Sequence, residues 1–425
     1  MRNVYLIHSV LFIVLISSHS CKVGQVAASK KIRNFVNIYN PAITYLHPKY
    51  KVYHNTDTTS LLYIRIPADQ VLYTRESPEK PYKAYLDIRY KLYKIYAERH
   101  LADTMKISFT IPKKDYNNLI ILECPLKTNE RCKYFIEIQT NDKIRNNSHL
   151  HFMHINKRTP LSAQNFMVVS TFNNQPYFYP YMKKDHHFTL RHNKESIQTI
   201  LVSYFKQEYD IPPHPYVVNF HTFGKITPDS IWSVKISDTL HLPYRGMYYF
   251  QADTAVNEGF TLFNFGKHYP LINTPAELIK PLKYIASKKE YREYISYSSK
   301  KLAVDKFWLN ATGNIDRAKE NLKVYYNRAM LANIYFTSYK EGWKTERGMI
   351  FIIFGLPTKV LINENKEKWI YGENLKYSSL SFTFMKQDNP YTQNDYVLNR
   401  SEYYSLSWNQ AIDTWRNGRI FAIVN

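Results

Sequence analysis

Three successive side chains in the C-terminal third could do chemistry together, because Thr345, Glu346 and Arg347 set a hydroxyl, a carboxylate and a guanidinium side by side. Such a trio could bind a polar ligand or act on it. The same residue types also build a structural corner. Gly342 can turn the chain, Trp343 offers a large apolar plate, Thr345 and Glu346 can bond backbone donors or pair with Arg347, and Gly348 lets the next segment approach closely. The corner accounts for every residue type, while the site reading keeps a hydrolase open. His149, His151 and His154 could approach a metal, but basic neighbours and the lack of a carboxylate ligand favour a polar interdomain linker. His186 and His187 beside Lys183 and Lys184 fit a solvated turn, since adjacent strand residues point to opposite faces. Tyr177, Tyr179 and Tyr181, interrupted by Pro176 and Pro180, could stack on sugar rings or receive a partner peptide; the competing reading has them cover a sheet edge. No H-E-x-x-H, G-x-S-x-G, Walker loop or dinucleotide glycine fingerprint occurs, so no metal, cofactor or common hydrolase chemistry is expected.

The three cysteines are too few for a disulfide scaffold and lack C-x-x-C spacing. Arg2, the apolar stretch from Val4 to Ile16 and the small polar run Ser17 to Ser20 have the layout of a secretory signal, too short to span a bilayer permanently. Cys21 follows directly and resembles the acylated cysteine of a bacterial lipobox, in the looser form found in the Bacteroidota. Several acyl chains, at about 0.8 kcal/mol per buried methylene, would hold such a chain firmly on a membrane. Lys22 is not the Asp that resembles an inner-membrane retention signal, and no acidic cluster follows, so the periplasmic side of the outer membrane is expected. In that oxidising compartment Cys124 and Cys132, at the ends of two apolar runs joined by a short loop, are expected to form a disulfide; two unbridged strand-end thiols are the alternative.

These residues need a frame, and 425 residues supply two or three domains with ample core. A composition of 44% hydrophobic and 22% charged residues excludes a mainly disordered chain, and 38 Tyr with 23 Phe bias it towards sheet. Lys and Arg number 57 against 35 Asp and Glu, a net charge of +22 spread along the chain. Acidic head groups, lipopolysaccharide phosphates or an acidic protein suit that balance at a membrane; nucleic acid is not expected, because no such module is visible. Short Tyr/Ile/Leu/Val runs from Val52 to Thr140 predict an antiparallel sandwich, with Leu86, Ile88, Tyr90 and Leu92 alternating against Asp87, Arg89 and Lys91. A second series follows: Phe166–Phe172, Thr199–Phe205, Tyr216–Phe220, Ser230–Ile236, Gly246–Ala252 and Gly259–Phe263, with Ile211–Pro215 as a connector. Beyond Thr274 the period changes to helical over Glu277–Tyr297, Lys300–Trp308 and Ile315–Phe336, then strands return at Met349–Phe354, Lys368–Tyr371 and Ser379–Met385.

The run from Gly342 to Pro357 resembles the GWxTD domain of Bacteroidota-type lipoproteins, named for its pentapeptide and continuing as TDRG, a strand and YGxP. Lys306-Phe307-Trp308, Tyr325 to Arg328 with Asn333, Trp369-Ile370-Tyr371 and Trp415 to Arg419 extend the likeness over Leu282 to Phe421, and Tyr53-His54 and Leu72 to Arg75 echo it faintly. Glu346 stands where the family has Asp. The resemblance implies a fold and an address and brings no established catalysis. The expected architecture is mainly β with an α+β end: signal peptide 1–20, lipidated tether 21–45, β-sandwiches over 46–150 and 160–270, and a GWxTD-like domain over 275–425. The expected role is a non-enzymatic envelope scaffold or adaptor, with a glycan- or lipopolysaccharide-binding lipoprotein as the alternative.

Overall fold

A computed structural model describes residues 34–42, 45–95, 99–114, 118–206, 208–218, 226–372 and 380–422. The expected signal peptide, Cys21 and most of the expected tether lie outside the described residues. The first block is a sandwich of β1 (Lys49–His54), β2 (Thr59–Pro67), β3 (Lys83–Ile95), β4 (Arg99–Pro112), β5 (Leu119–Lys127), β6 (Cys132–Asp142) and β7 (Asn147–Lys157). The strands form two antiparallel sheets, β1-β2-β5 and β4-β3-β6-β7. Period-two alternation sends Leu62, Ile64 and Ile66 of β2 and Leu86, Ile88, Tyr90 and Leu92 of β3 into one shared core. Burying each such side chain stabilises the fold by about 1.5–3 kcal/mol. Asp87 breaks the wet-face rule. It is buried, and Ser108 donates to it at 2.7 Å while Lys106 pairs with it at 3.0 Å.

Two expectations fail in this block. Cys124 and Cys132 are both buried and no disulfide joins them, because β5 and β6 are not hairpin partners. The loop between them crosses from one sheet to the other, so Cys124 lies opposite Leu62 and Cys132 opposite Lys157. Burial pushes the Cys124 thiol up to about 12. The histidine segment is also no linker: residues 147–157 are the edge strand β7, paired along its whole length with β6.

The second block contains β8 (Phe166–Ser170), β9 (Phe188–His192), β10 (Thr199–Phe205), β11 (Ser230–Lys235), β12 (Gly246–Gln251) and β13 (Phe260–Asn264), in sheets β8-β9 and β11-β10-β12-β13. Phe166, Val168, Phe188, Leu190, Val202, Tyr248, Phe250 and Leu262 fill the space between them. Of the strand expected over Tyr216–Phe220, residues 216–218 are not strand and the last two positions lie outside the described residues; residues 211–218 stay irregular, with a turn at 215–216.

The third block holds α1 (Pro275–Ile279), α2 (Lys288–Ser296), α3 (Lys300–Thr312), α4 (Ile315–Phe336), α5 (Glu346–Phe354) and α6 (Tyr404–Arg416). Its sheet has the order β14 (Lys359–Ile362), β15 (Lys366–Tyr371), β16 (Leu380–Lys386) and β17 (Tyr396–Leu398). Thr274 with Glu277, and Ser287 with Glu290, form capping boxes that start α1 and α2. The single helix expected over Glu277–Tyr297 is split by a 3-10 turn at Lys280–Tyr284, where Pro281 lacks the N–H a continuing helix needs. Met349–Phe354, expected as a strand, belongs to helix α5. Every residue of α5 is buried, so it has no polar face to mark a helical period. Around it pack Trp369, Phe382, Phe384, Trp408 and Trp415. Residues 34–425 cluster as one compact unit.

Alkylation in denaturant without reductant, read by mass spectrometry, is expected to label Cys124 and Cys132 in the native-purified protein. A mass 2 Da short on the peptides spanning them would overturn the two-sheet arrangement.

Candidate functional site

The corner is built by two glycines and a cap. A methyl group on Gly342 would lie 2.1 Å from the Ala332 carbonyl oxygen on α4, and one on Gly348 would lie 2.0 Å from the Gly342 carbonyl oxygen, so the turn Gly342–Lys344 and α5 approach as only glycine allows. Thr345 caps α5: its hydroxyl donates to the Gly342 carbonyl at 2.7 Å and accepts from the Gly348 N–H at 3.0 Å. Asn333 of α4 accepts from the Trp343 N–H at 3.0 Å, and the Tyr284 hydroxyl donates to the Trp343 carbonyl at 2.9 Å.

Glu346 and Arg347 are buried and leave α5 in different directions. One Glu346 oxygen accepts from Arg400 at 2.7 Å and the other from the Leu398 N–H on β17. Arg347 donates to Glu367 of β15 at 3.0 Å, bonds the Asn394 side chain, and lies 4.0 Å over the Tyr396 ring. The Glu367 carboxylate in turn accepts from the Trp369 indole at 2.6 Å. Arg400 also donates to the carbonyls of His214 at 2.7 Å and of Pro213 and Val217 at 3.3 Å. The proline connector of the second block is thereby tied to the motif. The longer arm of Glu346 reaches both a strand N–H and a guanidinium. The structure brings the motif residues together as an enclosed corner, with Gly342 to Gly348 all buried.

The open space lies elsewhere, in a cleft of about 850 Å³ where all three blocks meet. Tyr177, Tyr179 and Tyr181 line it from the second block, Lys49, Lys51, Lys133, His151 and His154 from the first, and Lys386 and Asp388 from the third. The tyrosines are half-buried and ordered by their neighbours. The Tyr177 hydroxyl donates to the Tyr181 carbonyl at 2.9 Å, Arg65 donates to the Tyr179 hydroxyl at 3.1 Å, and the Tyr181 ring meets Tyr269 edge-on at 4.8 Å. Burial pulls Lys51 down to about 8, and Lys49 falls through burial and repulsion from Arg65. Lys386 is held near 8 by burial and by the nearby Lys133 and Arg347. The sequence marked the tyrosines; it marked none of these lysines, which lie up to 337 positions apart, from Lys49 to Lys386.

The β7 histidines are not arranged as ligands, and among the described residues no group of three or more His, Cys, Asp or Glu side chains is placed to hold a metal ion. His151 stacks on Tyr50 at 4.6 Å, and the Tyr50 hydroxyl bonds Thr140 at 2.9 Å and His149 Nδ1 at 3.2 Å. Burial, then Lys49, pulls His151 to about 4; burial, then His151, pulls His149 to about 3; burial, then Lys386 and Lys133, pulls His154 to about 3. His54, bonded to Ser60 at 2.7 Å and to the Asn156 carbonyl at 3.1 Å, is pulled to about 4 by burial.

With this geometry in view, the sequence model of a family described as the GWxTD domain matches residues 246–417, from the start of β12 to just past α6. No curated protein matches the chain. Among solved structures, a Bacteroides uniformis beta-glucuronidase aligns at 17% identity over 27% of this chain and 15% of that one, with a TM-score of 0.15. A calcium-binding mutant of Bacteroides uniformis beta-glucuronidase 2 aligns at 16% identity over 27% and 16%, also with a TM-score of 0.15. The chain spans less than a fifth of either relative, and likenesses this slight bear on neither fold nor activity.

Urea denaturation tests the corner. Gly342→Ala should cost about 3 kcal/mol or more, since the added carbon meets backbone. Glu346→Ala should cost about 3–5 kcal/mol by leaving Arg400 buried without its partner, and Glu346→Asp less, because the charge stays while the reach shortens. Equal midpoints for Glu346→Ala and the parent would remove the ion pair from the fold. The histidines set an acid limit. Their folded values lie below the ordinary 6.5, so the unfolded chain binds more protons in between; stability is full above about pH 6.5 and is lost as pH falls towards 4 and 3. The melting temperature should drop across that window, and His151→Gln should flatten the drop. A profile level from pH 6.5 to 4 contradicts this account.

Proposed function

We infer the role of this chain from the premise that it carries a GWxTD domain over residues 246–417. In this reading it is a non-enzymatic scaffold or adaptor of the bacterial envelope, held to the outer membrane through an acylated Cys21, with its folded blocks on the periplasmic side. One observation carries the reading. The polar groups of the motif are spent inside the fold: the Thr345 hydroxyl on the Gly342 carbonyl and Gly348 N–H, Glu346 on Arg400 and Leu398, Arg347 on Glu367 and Asn394. A buried hydroxyl that donates to one backbone group and accepts from another is a poor nucleophile. The motif works as a strut, and the surfaces around it are left for contact.

The address rests on the sequence ahead of the folded blocks, where the apolar stretch from Val4 to Ile16 ends a few residues before Cys21. Among the described residues no helix is long and apolar enough to cross a membrane. A net charge of +22 suits acidic head groups and an acidic envelope partner.

The test is fractionation of a Cys21→Ser version beside the parent in a native-type host, with fatty-acid detection by mass spectrometry. The parent should be acylated and sediment with outer membranes; the variant should carry no acyl chain and lose the membrane fraction. Identical fractionation sinks the address. In-cell crosslinking of the parent should recover a defined partner, and recovery of monomer alone sinks the adaptor role.

A further inference from the structure

The cleft holds more positive charge than its own carboxylates balance. Five Lys or Arg residues line it (Lys49, Lys51, Lys133, Arg158 and Lys386) against three carboxylates, Glu258, Glu364 and Asp388. Some of this charge is already engaged: Lys51 donates to the Tyr177 carbonyl at 2.9 Å, and Glu258 accepts from Thr159. Lys133 and Lys386 are different. They line the cleft from separate blocks, on β6 and at the end of β16, and Lys133 is near enough to disfavour the charge of Lys386. Among the described residues neither has a hydrogen-bond or ion-pair partner, and Asp388 and Glu364 offset only part of the repulsion. Two half-buried ammonium groups facing each other oppose folding, and such cost is typical of groups kept for a ligand.

The rest of the lining narrows the ligand. Tyr177, Tyr179 and Tyr181 form an apolar wall, and the amides of Asn365, Gln387 and Gln393 supply partners for hydroxyl groups. A lone phosphate would leave most of the 850 Å³ empty. A peptide adding as a strand would need a free sheet edge, but the edges at the cleft are engaged: β1 by the turn Ala163–Asn165 and β8, β7 by Gln164, which bonds the His154 carbonyl and the Asn156 N–H, and β13 by the segment 180–182, which bonds Phe263. We propose that this cleft binds an acidic saccharide chain, with a carboxylate or sulfate between Lys133 and Lys386 and the sugar rings along the tyrosine wall. The proposal goes beyond the scaffold reading and does not depend on acylation of Cys21, so either can fail alone.

Binding has a proton signature. The groups facing Lys386 are Lys133 and His154 from the first block and Arg347, Glu364 and Asp388 from its own; His154 is neutral near pH 7 and bonds the Glu364 backbone. Burial, then Lys133 and Arg347, pulls Lys386 down to about 8. An anion favours its charged form, so complex formation above that pH takes up a proton and affinity falls as pH rises through 8.

The test uses the purified full chain in isothermal titration with oligogalacturonate, a neutral malto-oligosaccharide of equal length, poly-glutamate and inorganic phosphate. Oligogalacturonate should bind at least about tenfold more tightly than each of the others, which corresponds to one charge-assisted contact plus the ring wall. The double variant Lys133→Gln/Lys386→Gln should lose about tenfold or more in that affinity. Lys323→Gln, an exposed control on α4, should match the parent. Lys386→Gln should melt no lower than the parent, since removing an uncompensated cation leaves nothing orphaned, and this separates a binding defect from misfolding. Equal binding of poly-glutamate, full competition by phosphate alone, no binding of oligogalacturonate, or a double variant that behaves like Lys323→Gln would each overturn the proposal.

Discussion

The close approach of the Gly342–Lys344 turn to helix α4 is the constraint on which the C-terminal domain depends. No side-chain carbon fits between Gly342 and the Ala332 carbonyl, and the turn delivers Thr345 to the cap position of α5. Once that cap is set, the direction of α5 follows. Successive helical residues diverge by about 100°, so Glu346 and Arg347 must address different neighbours. Glu346 reaches β17 and Arg400, and Arg347 reaches Glu367 on β15. One turn thus determines where two separate strands of the sheet are pinned to the central helix. Through Arg400 it also determines where the chain from the second block runs.

Charges enclosed among tryptophans need a reason, because a buried ion pair is often no more stabilising than a well-packed apolar pair. Here each partner has further work. The Glu346 carboxylate satisfies the Leu398 N–H, Glu367 accepts from the Trp369 indole, and Arg347 covers the Tyr396 ring. Slipping β15 or β17 by one residue would orphan a buried charge as well as several backbone groups, so the pairs select register more than they add stability. In the cleft, the half-buried ammonium groups of Lys133 and Lys386 have no such partners among the described residues. Where charge is fully spent, the fold explains it; where it is left over, as at Lys133 and Lys386, a ligand is the natural complement.

Elements with a periodic boundary between wet and dry were legible in the sequence. β3 alternates from Leu86 to Leu92 as a sheet face should, and α4 runs from Ile315 to Phe336 on its three-and-four spacing. α5 was not legible, because Met349 to Phe354 are apolar on all sides and a helix enclosed on all sides carries no period. Only its cap, Thr345 followed by Glu346, signalled a helix start. β7 failed for the opposite reason: alternating His149, His151 and neighbouring polar residues read as solvated, although β6 pairs with the whole segment. The cysteines misled because adjacency in sequence suggested a hairpin, while the chain between β5 and β6 changes sheets. The corner was readable from local residue types, since its parts lie within seven positions, 342 to 348. The cleft was not, because its lysines come from the first and third blocks and its tyrosines from the second, and they meet only after folding.

The period change near residue 275 marks a change of secondary structure but no break in packing. β12 is buried on both faces: Tyr248 and Phe250 point into the second sandwich, while Met247 and Tyr249 join Phe205, Phe263 and Tyr339 in a further aromatic cluster. Tyr249 meets Tyr391 edge-on at 4.9 Å, and Tyr209 meets Tyr339 at 4.8 Å. This shared core gives a physical reason for the GWxTD match to begin at Gly246, inside the preceding sheet. On the other side, Tyr63 packs with Met167 and Val169, joining the first sandwich to the second. The walls of the cleft are therefore set by the same cores that hold the blocks together. A rigid frame can keep Lys133 and Lys386 facing each other at a cost that flexible hinges would relieve by opening. That preorganisation lowers what a ligand must spend on ordering its site.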